Sequence, residues 1–307
     1  MKIETILITG ARGFTASYLA KKLYDDGHKV FATTLSNSDN QNFSNFHEVV
    51  RCDITDKASL YKALVSVKPD RIIHLAALSF VNHDDPLNYY RVNTLGTENL
   101  LSAIQESSVP IKSIILSSSA NVYGLPDIKV IDENVMPRPV NHYALSKLNM
   151  EFIAKTYMTR LPIIITRPFN YIGFGQSDHF VVPKITKAFA NAENEISLGD
   201  IHVSRDFTSV YDTVNAYSSL LFSEKCLGET FNICSGKPTS IASIIEMLTK
   251  ISGHKLKINV DKRFIRKNEI RSLYGSNQKL KQFVDWDVSV TLTEMLREMY
   301  DSYSAQI

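Results

Sequence analysis

Tyr143 and Lys147 stand four residues apart in Tyr143-Ala144-Leu145-Ser146-Lys147. On a helix, that spacing puts a phenol and an ammonium on one face. A free tyrosine titrates near about 10, and a neighbouring cation lowers that value by favouring the phenolate. Such a pair can exchange a proton with a carbonyl or an alcohol. Alone, the pattern more often marks a surface helix. It gains meaning from Ser117-Ser118-Ser119-Ala120-Asn121-Val122-Tyr123-Gly124, which closes a β-rich run upstream. Ligands of open α/β sheets sit outside the carboxyl ends of the strands, so these hydroxyls are expected to reach the same cleft as the pair.

A second motif opens the chain. Thr9-Gly10-Ala11-Arg12-Gly13-Phe14-Thr15-Ala16 follows the first β-rich run and starts the first helical one. Gly10 suits a sharp exit from a strand, Gly13 lets a pyrophosphate approach the backbone, and Ala16 is small enough for close helix–strand packing. The helix start offers N–H groups and a positive dipole end to phosphate. This predicts dinucleotide binding, with Lys147 free to hold ribose hydroxyls as well. The second strand ends Thr33-Thr34-Leu35-Ser36, with no acid before Asp39. Together with Arg12 in the turn, that leans towards NADP, with NAD the alternative. Asp53 stands either against the adenine amino group or as a helix cap.

These residues need a scaffold that alternates strand and helix. β-Rich runs at Thr5–Thr9, Lys29–Leu35, Val49–Asp53, Arg71–Ala77, Ser113–Ser118 and Pro162–Arg167 show little polar alternation, as parallel strands buried on both faces do. Helical segments at Phe14–Asp26, Asp56–Val67, Pro86–Ser107 and Tyr143–Thr159 separate them. The order predicts a doubly wound parallel α/β sheet of the Rossmann type. The second half is less regular. Helices are expected at Pro183–Ala192, Val210–Phe222, Ile241–Ile251 and Thr291–Tyr300, and a strand at Thr230–Cys234. A basic stretch runs from Arg263 to Arg271. We expect a dinucleotide domain from residues 1–170 and 208–235, and a smaller α/β substrate lobe from 171–207 and 236–307.

The 307 residues suit one large domain with a smaller lobe, and the net charge of +2 gives no reason to expect nucleic acid or an anionic membrane as partner. Cys52, Cys226 and Cys234 form neither a C-x-x-C pair nor a His cluster, so no metal site or disulfide framework is expected. The chain enters a strand directly and has no apolar run of membrane-spanning length, which predicts a cytoplasmic protein.

With His74-Leu75-Ala76-Ala77 and Val92-Asn93-Thr94-Leu95-Gly96-Thr97 added to these motifs, nearly the whole chain resembles the extended short-chain dehydrogenase/reductase family. Asn170-Tyr171-Ile172-Gly173-Phe174-Gly175-Gln176, Gly199–Phe207 and Arg266-Lys267-Asn268-Glu269 look like its nucleotide-sugar branch, and most like the GDP-4-keto-6-deoxymannose reductases, close to the GDP-mannose 4,6-dehydratases. The resemblance implies a catalytic Ser119 beside Tyr143 and Lys147. Around the cofactor it implies Phe14, Thr33, Ile54, Leu75, Ala76, Ala77, Asn93, Ser117 and Pro168. Towards a nucleoside-diphosphate sugar it implies Ser79, Asn170, Val181, Lys184, Arg205, Arg266 and Glu269. It also implies a homodimer through a four-helix bundle of Pro86–Ser107 and Tyr143–Thr159. Dehydratases of this kind carry a carboxylate just after the catalytic hydroxyl. Ala120 and Asn121 stand there instead, which favours plain reduction of a C4 ketone in deoxysugar biosynthesis for surface polysaccharide, over dehydration. Epimerisation or oxidation with retained NAD, and dTDP or CDP in place of GDP, remain the rival readings.

Overall fold

The computed structural model describes residues 2–36, 43–79, 85–126, 128–261, 263 and 271–306. The first half reads β1 (Thr5–Thr9), α1 (Phe14–Asp25), β2 (Lys29–Thr34), β3 (Glu48–Arg51), α2 (Lys57–Val67) and β4 (Arg71–His74). Then come α3 (Leu87–Tyr89), a π-helical turn (Tyr90–Leu95), α4 (Gly96–Ser107), β5 (Ser113–Ser117), a 3-10 turn (Ala120–Tyr123), α5 (His142–Tyr157) and β6 (Ile163–Pro168). The second half adds β7 (Asn170–Ile172), α6 (Val181–Ala190), β8 (Glu195–Leu198), β9 (Ser204–Ser209), α7 (Val210–Leu221) and β10 (Thr230–Ile233). It ends with β11 (Pro238–Ser240), α8 (Ile241–Ser252), β12 (Lys257–Val260), β13 (Ser272–Leu273), α9 (Gln278–Phe283) and α10 (Leu292–Ser304).

The apolar runs become a seven-stranded parallel sheet in the order β10-β6-β5-β4-β1-β2-β3. Its central strands are buried on both faces, as their lack of alternation requires. One face packs on α1 and α7 through Leu19, Leu23, Val214 and Leu220. The other packs on α2, α4 and α5 through Leu60, Leu100, Ile104 and Met150. Chain direction around the sheet reverses between β1 and β4, where Thr9 pairs with His74. That is the place where a doubly wound sheet opens a crevice for a ligand.

The expected single helix at Pro86–Ser107 is three pieces with the π-helical turn in the middle. Such turns recur at functional sites. β2 stops at Thr34 and does not include Leu35, which is exposed. The lobe has its own core of Ile185, Phe189, Ile244, Leu248, Leu296 and Met299, and its short strands β7, β9, β11 and β13 form a second sheet. Residues 278–288 were expected in the lobe, but Leu280 and Trp286 pack into the core on the α1/α7 face of the main sheet. The Trp286 indole also donates to the Asp212 carbonyl of α7 at 2.8 Å. α10 then returns to the lobe.

Candidate active site

The glycine turn is built against the loop that follows β4. Gly10 has φ +84, and a Cβ there would lie 2.9 Å from the Cα of Ala76. Only glycine fits such a left-handed, close approach. Thr33 O accepts from Gly10 N at 3.1 Å and Ala11 N at 2.8 Å, which latches the turn carrying the exposed Arg12 to the end of β2. Gly13 caps α1 with no side-chain hydrogen bond, whereas α2, α5, α7, α8 and α10 begin with side-chain caps from Asp56, Asn141, Ser209, Ser240 and Thr291. An uncapped helix start behind a glycine turn fits the diphosphate of a dinucleotide. Ala16 is fully buried, as close helix–strand packing demands.

His74 braces this corner. Its Nδ1 meets Thr9 Oγ1 at 2.7 Å and its Nε2 meets Thr97 Oγ1 at 3.0 Å. Thr97 spends its hydroxyl hydrogen on Asn93 O at 2.8 Å, so His74 Nε2 donates and Nδ1 accepts. Burial, with the Lys147 charge nearby, holds the imidazole down to about 3, so it stays neutral. Thr9 Oγ1 also accepts from Ala76 N at 3.1 Å, which carries the brace into Leu75, Ala76 and Ala77.

Tyr143 and Lys147 share the buried face of α5, each less than a tenth exposed. Asn141 starts the helix by accepting from Ala144 N at 2.8 Å. Lys147 Nζ donates to Ser117 O at 2.7 Å. Burial brings its pKa down to about 8, against the pull of Glu151. The expectation that Lys147 lowers Tyr143 does not hold within the chain itself. Burial pushes Tyr143 up to about 12, relieved by a hydrogen bond with Ser119 and reinforced by the phenols of Tyr171 and Tyr89. The Tyr143 phenol therefore keeps its proton. Ser119 Oγ accepts from Asn121 N at 3.2 Å and Asn121 Nδ2 at 3.1 Å. Asn121, at the place where a dehydratase carries an acid, serves here as the anchor of Ser119.

Other expected cofactor residues fall into two kinds. Asn93 is buried, and its side chain is used internally: Oδ1 accepts from Leu78 N at 2.8 Å, while Nδ2 donates to Leu78 O at 3.1 Å and to Ser146 Oγ at 3.0 Å. It ties the loop after β4 to α5. Asp53 is not the helix cap; its Oδ1 closes a turn by accepting from Thr55 N at 2.8 Å and Thr55 Oγ1 at 2.7 Å. The helix cap is Asp56, which accepts from Ala58 N at 2.9 Å. Ile54 packs under α4, where a Cβ on Gly96 would lie 2.9 Å from its Cδ1. Ser117 Oγ and the buried Tyr217 hydroxyl share a hydrogen bond at 2.7 Å. Phe14 stacks on Tyr171 with ring centroids 6.1 Å apart, and Tyr171 OH meets Thr15 Oγ1 at 2.7 Å. That contact joins the first turn of α1 to β7. Pro168 pairs with Ile233 at the end of β6.

The sugar-nucleotide side is more open. Ser79 is exposed in the loop after β4. Asn170 is exposed on β7, paired with Phe207. Val181 is exposed at the start of α6, and Lys184 one turn on donates to Ser197 O at 2.9 Å. Arg205, half-buried on β9, donates to Ser204 O at 2.8 Å. Arg266 and Glu269 lie outside the described residues.

Two buried acids escape the sequence reading. Asp206 accepts from Ser235 N at 2.7 Å, Ser235 Oγ at 2.6 Å, Gly236 N at 2.9 Å and Gly275 N at 3.3 Å, so it ties two loops to β9 beside Arg205 in the chain. Burial raises its pKa despite these donors. Strand alternation puts it opposite Arg205, but nothing local says what it meets. Glu151 is buried one turn beyond Lys147 and pairs with Arg167. Its spacing of four and eight from Lys147 and Tyr143 was a readable signal. Among the described residues, no group of His, Cys, Asp and Glu could hold a metal ion, and no helix is long and apolar enough to cross a membrane.

A family model described as GDP-mannose 4,6 dehydratase matches residues 7–299. A GDP-6-deoxy-D-talose 4-dehydrogenase of Aggregatibacter actinomycetemcomitans is 36% identical over 297 residues, which is 96% of each chain. A GDP-6-deoxy-D-mannose reductase of Pseudomonas aeruginosa is 34% identical over 254 residues, 78% of this chain and 82% of its own. The structure of RMD from Pseudomonas aeruginosa complexed with NADPH superposes with a TM-score of 0.85 at 30% identity, covering 99% of this chain and 100% of that one.

Proposed function

Since the chain belongs to the GDP-mannose 4,6-dehydratase family of the short-chain dehydrogenases/reductases, we propose that it reduces the C4 ketone of a nucleoside-diphosphate 4-keto-6-deoxyhexose, with GDP-4-keto-6-deoxy-D-mannose as preferred substrate and GDP-D-rhamnose as product. The observation that carries this reading is the pairing of a phenol that burial keeps protonated with a Ser119 held by Asn121. Reduction needs a proton donor at the ketone oxygen and no second acid or base. Dehydration across C5–C6 needs both.

NADPH, the preferred cofactor in this reading, supplies the hydride to C4. Gly10, Gly13 and the start of α1 receive its diphosphate, and Arg12 receives a 2′-phosphate, for which a guanidinium fork is well shaped. Lys147 holds the ribose hydroxyls. Ser119 donates to the ketone oxygen, and Tyr143 delivers the proton as charge develops there. Asn170 orients the sugar, and Lys184, Arg205, Arg266 and Glu269 hold the nucleotide. A dimer through α3, α4 and α5 belongs to the same reading. The exposed Leu95 of the π-helical turn between α3 and α4, with Leu145 and Phe152 of α5, leaves apolar surface there, and light scattering at twice the 34.6 kDa chain mass is the expected result.

A second reading keeps the substrate and changes the face. Mannose and talose differ at C4, so hydride delivery to the opposite face gives GDP-6-deoxy-D-talose. The relative that is 36% identical across 96% of the chain favours it. Incubation with NADPH and the GDP-4-keto sugar, followed by proton NMR of the product, separates the two. A large diaxial coupling at the new C4 proton supports rhamnose, and a small one supports the talose product. Interconversion of C4 epimers with no added cofactor would overturn both in favour of an epimerase with retained NAD. Turnover of only the dTDP or CDP ketone would overturn the assigned base.

A further inference from the structure

Three consecutive residues at the end of β5 each attend to one residue on the same face of α5. Ser119 hydrogen-bonds Tyr143. Ser117 accepts from Lys147 Nζ at 2.7 Å. Ser118 Oγ donates to Glu151 Oε1 at 2.5 Å. Positions 143, 147 and 151 are spaced by four, so α5 presents them as one stripe to the strand end. Only the first two rungs enter the proposed chemistry.

Glu151 is almost wholly buried and is held from β6. Arg167 Nε donates to its Oε1 at 2.9 Å, and Arg167 Nη2 to its Oε2 at 2.6 Å. Arg167 is fixed in turn: Nη1 donates to Tyr123 OH at 3.0 Å, and the guanidinium lies over the Tyr123 ring, 4.8 Å from its centroid. Tyr123 OH then donates to Asn232 Oδ1 at 2.7 Å. A pair that merely joined α5 to β6 would need no bond to Ser118. Here one carboxylate oxygen takes both Arg167 and the serine between the two residues that serve Lys147 and Tyr143.

We propose that Glu151 is a positioning residue of the active site: fixed by Arg167, its carboxylate grips Ser118 to set the end of β5 and supplies the counter-charge that keeps the buried Lys147 an ammonium ion. This rests on Tyr143 and Lys147 being the working pair, but not on which sugar is reduced. The other groups around Lys147 do not supply that charge. His74 of β4 is neutral. Arg167 of β6 is itself a cation. The phenols of Tyr143 and of Tyr217 on α7 are kept protonated by burial. Tyr89 of α3 lies edge-on to Tyr143, with centroids 6.1 Å apart. Glu151 is the acid whose charge raises the pKa of Lys147.

The test is an NMR titration of the cofactor-free protein labelled at lysine Cε, with the Lys147 signal assigned by its loss in Lys147→Met. In the unaltered chain, the midpoint is expected at about 8. A midpoint below about 7, where a carboxylate at this range should not allow it, overturns the counter-charge whether or not any variant folds. Glu151→Gln should lower the midpoint by about one unit or more. An unchanged midpoint in a variant that melts like the parent also overturns it. Glu151→Asp keeps the sign and should hold the midpoint within about half a unit. Ser118→Ala keeps the charge and cuts the tether. Its midpoint should match the parent while turnover falls about tenfold, as misplacement at an active site costs. Parental turnover in Ser118→Ala overturns the gripping role.

Discussion

Around Tyr143, the polar groups are buried and spent on one another: Lys147 on Ser117, Asn93 on Leu78 and Ser146, His74 on Thr9 and Thr97. The lobe offers Lys184 on α6 and Arg205 on β9, both half-buried cations, and the exposed Asn170 and Val181. The first region is set before any ligand arrives, so its dipoles need little rearrangement during reaction. In the proposed reading the second would meet its ligand through Lys184 and Arg205, long side chains that would have to leave backbone carbonyl partners, Ser197 O and Ser204 O, or share them. Proton transfer tolerates little misplacement, whereas a diphosphate can be gripped in several ways.

Four measurements sharpen or break that contrast. Tyr143→Phe should lower turnover by about 10²–10⁴, with cofactor affinity and melting temperature preserved. Near-parental turnover would remove Tyr143 from the chemistry. Arg205→Ala should raise KM for the nucleotide sugar by about 10–100-fold, the size of a lost charge-assisted contact, with kcat nearly unchanged. A fall in kcat alone would place Arg205 with the preset region.

The third measurement is pH dependence. The Lys147 ammonium is intact well below about 8 and is lost as the pH rises through that value in the cofactor-free chain, so kcat/KM should fall tenfold per unit on the alkaline side. Tyr143, pushed up to about 12, keeps its proton throughout. An alkaline limb beginning only above about 10, near the ordinary tyrosine value, would assign it to Tyr143 instead. The stability sign is the reverse. Lys147 titrates lower folded than unfolded, so its charged form costs stability, and the cofactor-free chain should gain stability as pH rises from about 8. Chemical denaturation at two pH values checks this. The smallest effect is Tyr171→Phe, which removes the hydroxyl bonded to Thr15. It should cost about 1 kcal/mol, read as a few-fold loss of dinucleotide affinity. No loss would uncouple β7 from the first turn of α1.

The glycine turn and the Tyr143/Lys147 pair were legible because each is local. Gly10 is needed by its own φ, and the i,i+4 spacing follows from helix geometry alone. Asn93 was expected beside the cofactor; that its side chain bonds Leu78 and Ser146 was not legible, because the sequence does not reveal which way a polar side chain's hydrogen bonds close. Asp53 was one candidate for the helix cap, and the helix start shows the cap to be Asp56.

By itself, the sequence determined the parallel sheet, the glycine turn after β1 and the shared helix face of Tyr143 and Lys147, since hydrophobic period and backbone sterics act between near neighbours. Tertiary structure alone decided that Tyr143 is held as a protonated phenol, that Lys147 faces Ser117, that Glu151 reaches Ser118, and that residues 278–288 leave the lobe for the main core. Those outcomes depend on burial and on partners far apart in the chain, and desolvation becomes a physical quantity only once the chain has packed.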